Sequence, residues 1–333
     1  MAEQKRILTG IRPTGPLHLG HYAGALESWL NLQHDYECFF LIADYQVSDY
    51  VDDIDTVRNA VLEIATDWLA VGLDPDKNHF VIESLVPEHA ELTTWLSWCL
   101  PLGMLQRNPT LKAEMASLEG KSVPVAFFTY PVMQVANILM PKAHLVPTGE
   151  DQAAHVEMTR EVARRFNRTF AEVFPEPESL IGRVPRLVGL DGDAKMSKSA
   201  QNSIDLKDDA DTVTQKVMHM FTDPTRIHAT DPGHVEGNPV FMYHDAFNPD
   251  TAEVDDLKER YRKGTVGDVE VKQKLATALN AFLDPIRERR AHFESHPDLV
   301  REALAKGTAH AKRVAEATMA EVRDAVRITY LES

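Results

Sequence analysis

Apolar positions in the first half of the chain alternate between short unbroken runs and longer stretches with helical spacing. Ile7-Leu8, residues 37–43 (ECFFLIA), residues 79–83 (HFVIE) and residues 144–147 (HLVP) are such runs and predict buried parallel strands. Helical spacing links Leu19, Tyr22, Leu26, Trp29 and Leu30, and then Val57, Val61, Ile64, Leu69 and Val71, with Gly72 past the end. A further helix starts at Pro87 and carries Trp95, Leu96, Trp98 and Leu100, whose tryptophans read as core. The pattern fades over residues 101–123, where only a short helical piece is expected, in a mobile stretch. It returns over residues 126–140, after Pro131, with one face able to line a pocket, and again in the charged helix that ends at Phe166.

This alternation continues to about residue 190 and predicts an α/β domain, a parallel sheet covered on both faces. Strand patterns then stop. Residues 211–221, 253–263, 268–294 and 297 to the end are helical in pattern, and residues 222–238 form a loop whose histidines receive no role. The expected organisation is a sheet domain over residues 1–190 and a helical domain over residues 191–333.

Composition narrows the class. The 333 residues, 44% of them apolar, suffice for two domains with sizeable cores, and no apolar run reaches bilayer-spanning length. The start, MAEQKRILTG, leads into a strand and is not expected to be a signal peptide. Cys38 and Cys99 read as buried thiols of a cytoplasmic protein, and without a CxxC pattern no structural zinc or iron–sulfur site is expected. The formal net charge of −16 disfavours a general nucleic-acid coat protein but leaves room for a local basic surface. Arg260, Arg262 and Lys263, Arg287, Arg289 and Arg290, and Lys312 and Arg313 are local basic groupings, each readable as a solvated helix face.

The candidate chemistry begins after the first strand. The turn Gly10-Ile11-Arg12-Pro13-Thr14-Gly15-Pro16 leads into a helix, an arrangement that offers backbone N–H groups and a positive helix end to an anion. His18 and His21 are three residues apart and share one face, and Gly20 between them leaves room for a flat ring to approach the backbone. That pattern points to a nucleotide site. The pair alone also fits half a metal site or two solvated residues, although no third ligand stands nearby in sequence. Further on, Lys195-Met196-Ser197-Lys198-Ser199 follows Gly189 and Gly192, so two ammonium groups sit on a turn-rich segment able to follow charge onto a departing pyrophosphate.

HLGH with KMSKS resembles the signature pair of class I aminoacyl-tRNA synthetases. LTGIRPTGPLHLGHYAGAL (residues 8–26), YPVMQVANIL (130–139) and GEDQAAHVEMTREVARRFN (149–167) resemble the tryptophanyl members over essentially the whole chain. GLDGDAKMSKS and DPGHVEGNPVF look most like a divergent, second-type bacterial branch. The resemblance implies a Rossmann-like, doubly wound parallel sheet with an all-helical C-terminal domain that binds the tRNA anticodon. It also implies a homodimer acting on L-tryptophan, ATP with Mg2+, and tRNA(Trp), with no membrane association.

Carried onto this chain, the resemblance implies that His18, His21, Lys195 and Lys198 are catalytic. ATP would meet Arg12, Pro13, Thr14, Gly20 and His21; Gly149, Glu150 and Asp151 at its ribose; Leu187 at its adenine; and Lys195, Met196, Ser197, Lys198 and Ser199 over its phosphates. Tryptophan would meet Leu8, Gln46, Tyr130, Gln134, Asn137 and Gln152, with Tyr130 and Gln152 at its ammonium group. Three of these depart from the common pattern: Asn137 stands for an aspartate that accepts the indole N–H, Gln46 for a histidine and Leu8 for an aromatic residue. A neutral amide accepts less strongly than a carboxylate, so weaker tryptophan binding, or compensation elsewhere in the pocket, is expected. The other readings are a tyrosyl enzyme, whose phenol-binding pair is not found, a small nucleotidyltransferase, and a synthetase-like paralogue that only binds.

Overall fold

The computed structural model of the protein describes residues 4–118, 122–149, 153–181, 187–192, 196, 202–228 and 230–330. Five parallel strands form one sheet: β1 (Arg6–Ile11), β2 (Glu37–Ile42), β3 (His79–Ile82), β4 (Leu145–Thr148) and β5 (Glu178–Ile181). Their order, β3-β2-β1-β4-β5, is that of a doubly wound fold, and it reverses between β1 and β4. Strand β2 is buried at every position but its first, which is why its sequence is a continuous apolar run rather than an alternating one.

Helix α1 spans residues 19–32 and widens into a π-helical turn over Tyr22–Leu26. The remaining helices are α2 (Ile54–Val71), α3 (Glu88–Ser97), α4 (Leu102–Arg107), α5 (Pro109–Ser117), α6 (Val125–Leu139), α7 (Ala153–Thr169), α8 (Ala210–Met218), α9 (Pro239–Phe247), α10 (Thr251–Arg262), α11 (Asp268–Ser295) and α12 (Pro297–Val326). Where the sequence pattern fades, α4 and α5 are separated by Asn108, whose side chain accepts the Leu111 N–H and caps α5. Helix α9 falls where no helix was expected. Trp98 is a correction: read as core, it is 60% exposed, because α3 ends at Ser97 and the residue leaves the buried face. Trp29 and Trp68 form the aromatic core instead, with Phe40 and Phe80.

The chain divides into two compact units, Met1–Gly15 with Ser28–Gly182 and His296–Ser333, and Pro16–Glu27 with Arg183–Ser295. This differs from a single boundary at residue 190. The apolar stripe of α12, including Leu304, Ala311, Ala315, Met319 and Val322, is buried in the first unit, so the final helix covers the sheet. Thr308 Oγ1 accepts the Ile82 N–H at 3.1 Å, and Thr318 donates to the Met140 carbonyl at 2.8 Å. In the second unit, the Arg226 guanidinium is buried against Asp268, the Asp231 and Val266 carbonyls and the Tyr261 ring, which ties down the loop before α9.

At the amino ends of the strands, Glu37 meets Arg6, His79 and His310 at 2.8, 3.4 and 3.1 Å. The two imidazoles stack at 3.7 Å. Arg6 supplies the charge that balances Glu37, so the cluster is closed as an ion-pair network. The His79 hydrogen bond, then Arg6, holds the Glu37 carboxyl down at about 2. Such a group stabilises the fold above its unfolded pKa and loses that contribution as pH falls through the folded one. Glu37→Gln is therefore expected to cost on the order of 2 kcal/mol at neutral pH. It should also flatten the loss of stability between about pH 4.5 and 2. Urea unfolding across that pH range checks both, and an unchanged acid limb would refute the assignment.

Candidate active site

In the second unit, His18 is the N-cap of α1. Its Nδ1 accepts the Gly20 N–H at 3.1 Å, and His21 Nδ1 accepts the His18 N–H at 3.1 Å, so the two histidines form a reciprocal capping box. Because both Nδ1 atoms accept, each neutral ring carries its proton on Nε2, where it is a donor. The rings lie 3.8 Å apart. Residues 17–19 are fixed by pairing with residues 204–206: Leu19 N–H meets the Ile204 carbonyl and Leu206 N–H the Leu17 carbonyl, both at 2.9 Å.

A Cβ on Gly20 would fall 2.7 Å from Met196 Sδ and 2.9 Å from His18 Nδ1, so a larger residue there would have to displace one of these side chains. Met196 Sδ, in turn, lies 3.8 Å from the Tyr243 hydroxyl, which donates to the Val188 carbonyl at 3.0 Å. Met196 of the second motif and Gly20 of the first, far apart in sequence, are thus adjacent in this unit. Leu187 is buried. Lys195, Ser197, Lys198 and Ser199 lie outside the described residues.

In the first unit, Arg12, Pro13 and Thr14 follow the carboxyl end of β1 and Gly149 follows that of β4, the two strands between which the order reverses. Ligands of doubly wound sheets bind at that crevice. Arg12 is ion-paired with Asp49. Glu150, Asp151 and Gln152 lie outside the described residues.

Tyr130, Gln134 and Asn137 follow one another at helical spacing along α6. The Tyr130 hydroxyl donates to Glu114 at 2.8 Å and lies 3.4 Å from His155 Nε2; burial, then Glu114, pushes its pKa up. Asn137 is buried with Nδ2 on the Glu83 carboxylate at 2.6 Å. Gln46, past β2, reaches the same carboxylate at 3.5 Å, and Leu8 is buried in β1. Burial, with Asp44 nearby, raises the Glu83 carboxyl to about 7 against the pull of its hydrogen bonds. His89 is held neutral, down at about 4, by burial.

The chain matches the family model for class I tRNA synthetases (W and Y) over residues 2–284. It is 47% identical to the tryptophan–tRNA ligase of Chlamydia caviae, over 99% of this chain and 97% of that protein. The chain belongs to this family. It is also 48% identical to the tryptophan–tRNA ligase of Treponema pallidum, with 97% of each chain covered. A crystal structure of tryptophanyl-tRNA synthetase from Campylobacter jejuni complexed with ADP and tryptophan superposes with a TM-score of 0.83 at 33% identity, over 96% of this chain and 99% of that one.

Within that family fold, sequence reasoning passed over Glu83, Glu114 and His155. Glu83 had a visible signal, a carboxylate closing the apolar run of β3 at the end where ligands bind. Glu114 and His155 had none, since their meeting with Tyr130 depends on how α5, α6 and α7 pack. The thiols behave as expected: Cys38 and Cys99 are free and buried, and burial pushes Cys38 up to about 12. Arg260, Arg262, Lys263 and Arg287 of the basic groupings are paired with acidic neighbours, contacts worth little individually at a surface, whereas Arg290, paired with Glu294, is buried and is not part of a solvated face. Among the described residues, no helix is long and apolar enough to cross a membrane.

Proposed function

We propose that this chain is a tryptophan–tRNA ligase. The tryptophan carboxylate attacks the α-phosphate of ATP in line, giving tryptophanyl-adenylate and pyrophosphate, and a terminal ribose hydroxyl of tRNA(Trp) then takes the aminoacyl group. The observation that carries this reading is full-length similarity to tryptophan–tRNA ligases at 47% identity, with both motifs intact.

Each side chain takes the role its chemistry suits. Arg12, Pro13, Thr14, Gly20 and Gly149 shape the nucleotide site, with Glu150 and Asp151 at the ribose and the Leu187 backbone at adenine. His18 and His21 donate from Nε2 to phosphate oxygens, and Lys195 and Lys198, flanked by Met196, Ser197 and Ser199, follow the charge onto pyrophosphate. No covalent enzyme intermediate is needed, so catalysis is positioning and electrostatic stabilisation. The groups gathered at the turn are imidazole and backbone donors, suited to phosphate and not to a cation; Mg2+ therefore comes with ATP, held by phosphate oxygens and water. Tyr130 and Gln152 hold the substrate ammonium, with the Glu114 carboxylate behind Tyr130 adding negative charge. Leu8, Gln46, Gln134 and Asn137 enclose the side chain, and Asn137 accepts the indole N–H. The helical region after residue 190 reads the tRNA, and the working form is a cytoplasmic homodimer.

The test is amino-acid-dependent ATP–pyrophosphate exchange with tryptophan, with tyrosine and with neither. Exchange is expected with tryptophan alone. Exchange driven by tyrosine would overturn the substrate, and no exchange with either would leave a binding paralogue.

A further inference from the structure

Glu83 closes β3 with no solvent exposure. Its Oε1 accepts Asn137 Nδ2–H at 2.6 Å and lies 3.5 Å from Gln46 Nε2, while Oε2 accepts the Tyr45 backbone N–H at 3.1 Å. One carboxylate therefore gathers two of the three positions at which the pocket departs from the common family pattern. Asn137 is 2% exposed; its side chain lies against His89, a contact that raises the His89 pKa against burial, yet Oδ1 completes a hydrogen bond of good geometry with neither His89 Nδ1 nor any other described group. A primary amide has one donor end and one acceptor end. A carboxylate clamped on the donor end decides which end is left, and what is left is an acceptor. A buried acceptor without a partner is costly until something donates to it.

We infer that Glu83 is a positioning residue of the tryptophan pocket, holding Asn137 by its amide nitrogen so that Oδ1 accepts the indole N–H. The inference rests on the reading above that Asn137 meets the indole. Glu83 also restores what Asn137 lacks. Negative charge on the far side of the amide polarises it, and a hydrogen bond in a chain is stronger than one alone. In its ionised form Glu83 places, one group further back, the charge that an aspartate at position 137 would carry.

Tryptophan-dependent pyrophosphate exchange, with KM for tryptophan and KM for ATP measured separately, tests this in four variants. Glu83→Gln keeps the shape but offers Asn137 both a donor and an acceptor, so its orientation is lost; KM for tryptophan should rise about tenfold or more, with KM for ATP changed less than about twofold. Asn137→Asp sets two carboxylates face to face and should raise KM for tryptophan as well. The reciprocal double variant, Glu83→Gln with Asn137→Asp, again pairs one carboxylate with one amide and should return KM for tryptophan to within about threefold of wild type. A merely structural role for Glu83 gives no such rescue.

A wild-type KM for tryptophan in Glu83→Gln would overturn the inference, as would a double variant no better than its worse single parent. Should Glu83→Gln fail to fold, the double variant decides alone, on the same threefold and tenfold limits. Asn137→Ala separates the two layers of the argument. If it raises KM for tryptophan while Glu83→Gln does not, Glu83 is refuted and the pocket reading stands. If neither moves it, the placement of tryptophan against Asn137 is what has failed.

Discussion

Alanine at His18, His21, Lys195 or Lys198 is expected to slow tryptophan-dependent pyrophosphate exchange by about 10²-fold or more, with KM for tryptophan nearly unchanged. In the proposed reaction the charge that must be stabilised develops on phosphate oxygens in the transition state, so the loss belongs in kcat. For the histidines the structure adds a control. His18 is an N-cap through Nδ1 and, in the proposed mechanism, a donor from Nε2, and alanine removes both functions. The cap alone is worth about 0.5–2 kcal/mol of stability. Asparagine at position 18 keeps a capping acceptor but has nothing where Nε2 stood. His18→Asn should therefore melt close to wild type and still lose most of its rate, whereas His18→Ala loses both. An active His18→Asn would show that the ring serves the helix and not the phosphates. His21, whose Nδ1 accepts the His18 N–H, should show the same rate loss.

What could be read from the sequence follows from how local each signal is. β1 to β4 were legible because a parallel strand buried on both faces is written as a continuous apolar run, as in residues 38–42, whereas β5, the short segment ESLI, was not. The turn after β1 and the position of Gly149 after β4 follow from the same alternation, since strand order and strand ends set where ligands bind. Helix α9 was not legible: PVFMYHDAF is apolar nearly all round, buried on most faces, and too short to show a period. The two short helices after Pro101 were blurred for the opposite reason, because α5 has almost no apolar face to repeat. Position 297–326 misled in its partner. Its stripe was clear, but a stripe names a face to be buried and not the surface that buries it, and here that surface is the sheet.

The site divides along the same line. HLGH and KMSKS are local strings and were seen, and Gly20 was picked out, although the space it leaves is filled by Met196 Sδ and the His18 ring. Asn137 was seen as a neutral residue where charge was expected. The compensating carboxylate, 54 positions earlier in the chain, is visible only once β3 and α6 are side by side.

Replacing Gly307 by alanine should destabilise the protein by about 3 kcal/mol or more, the upper end of overpacking, with the loss seen in thermal unfolding rather than in KM for either substrate. Gly307 lies within α12, where glycine is disfavoured by about 1 kcal/mol relative to alanine. Propensity alone therefore predicts the opposite sign. Packing decides it: a Cβ at 307 would fall 2.3 Å from the Phe80 carbonyl oxygen and 2.4 Å from its nitrogen. Those atoms belong to the backbone of β3, held in register with β2, and cannot rotate away as a flexible side chain would. The helix would have to lift off the strand, and in doing so break the Thr308 bond to the Ile82 N–H and loosen the seat of the two halves of the aromatic core around Phe80. Gly24 supplies the matched comparison, since a Cβ there meets nothing within 4 Å. Gly24→Ala is accordingly expected to leave stability unchanged or raise it by up to about 1 kcal/mol. Equal melting of the two variants would mean that α12 does not need its close approach to β3; a fall confined to Gly307→Ala would fix that approach as the contact by which the last helix of the chain closes the sheet.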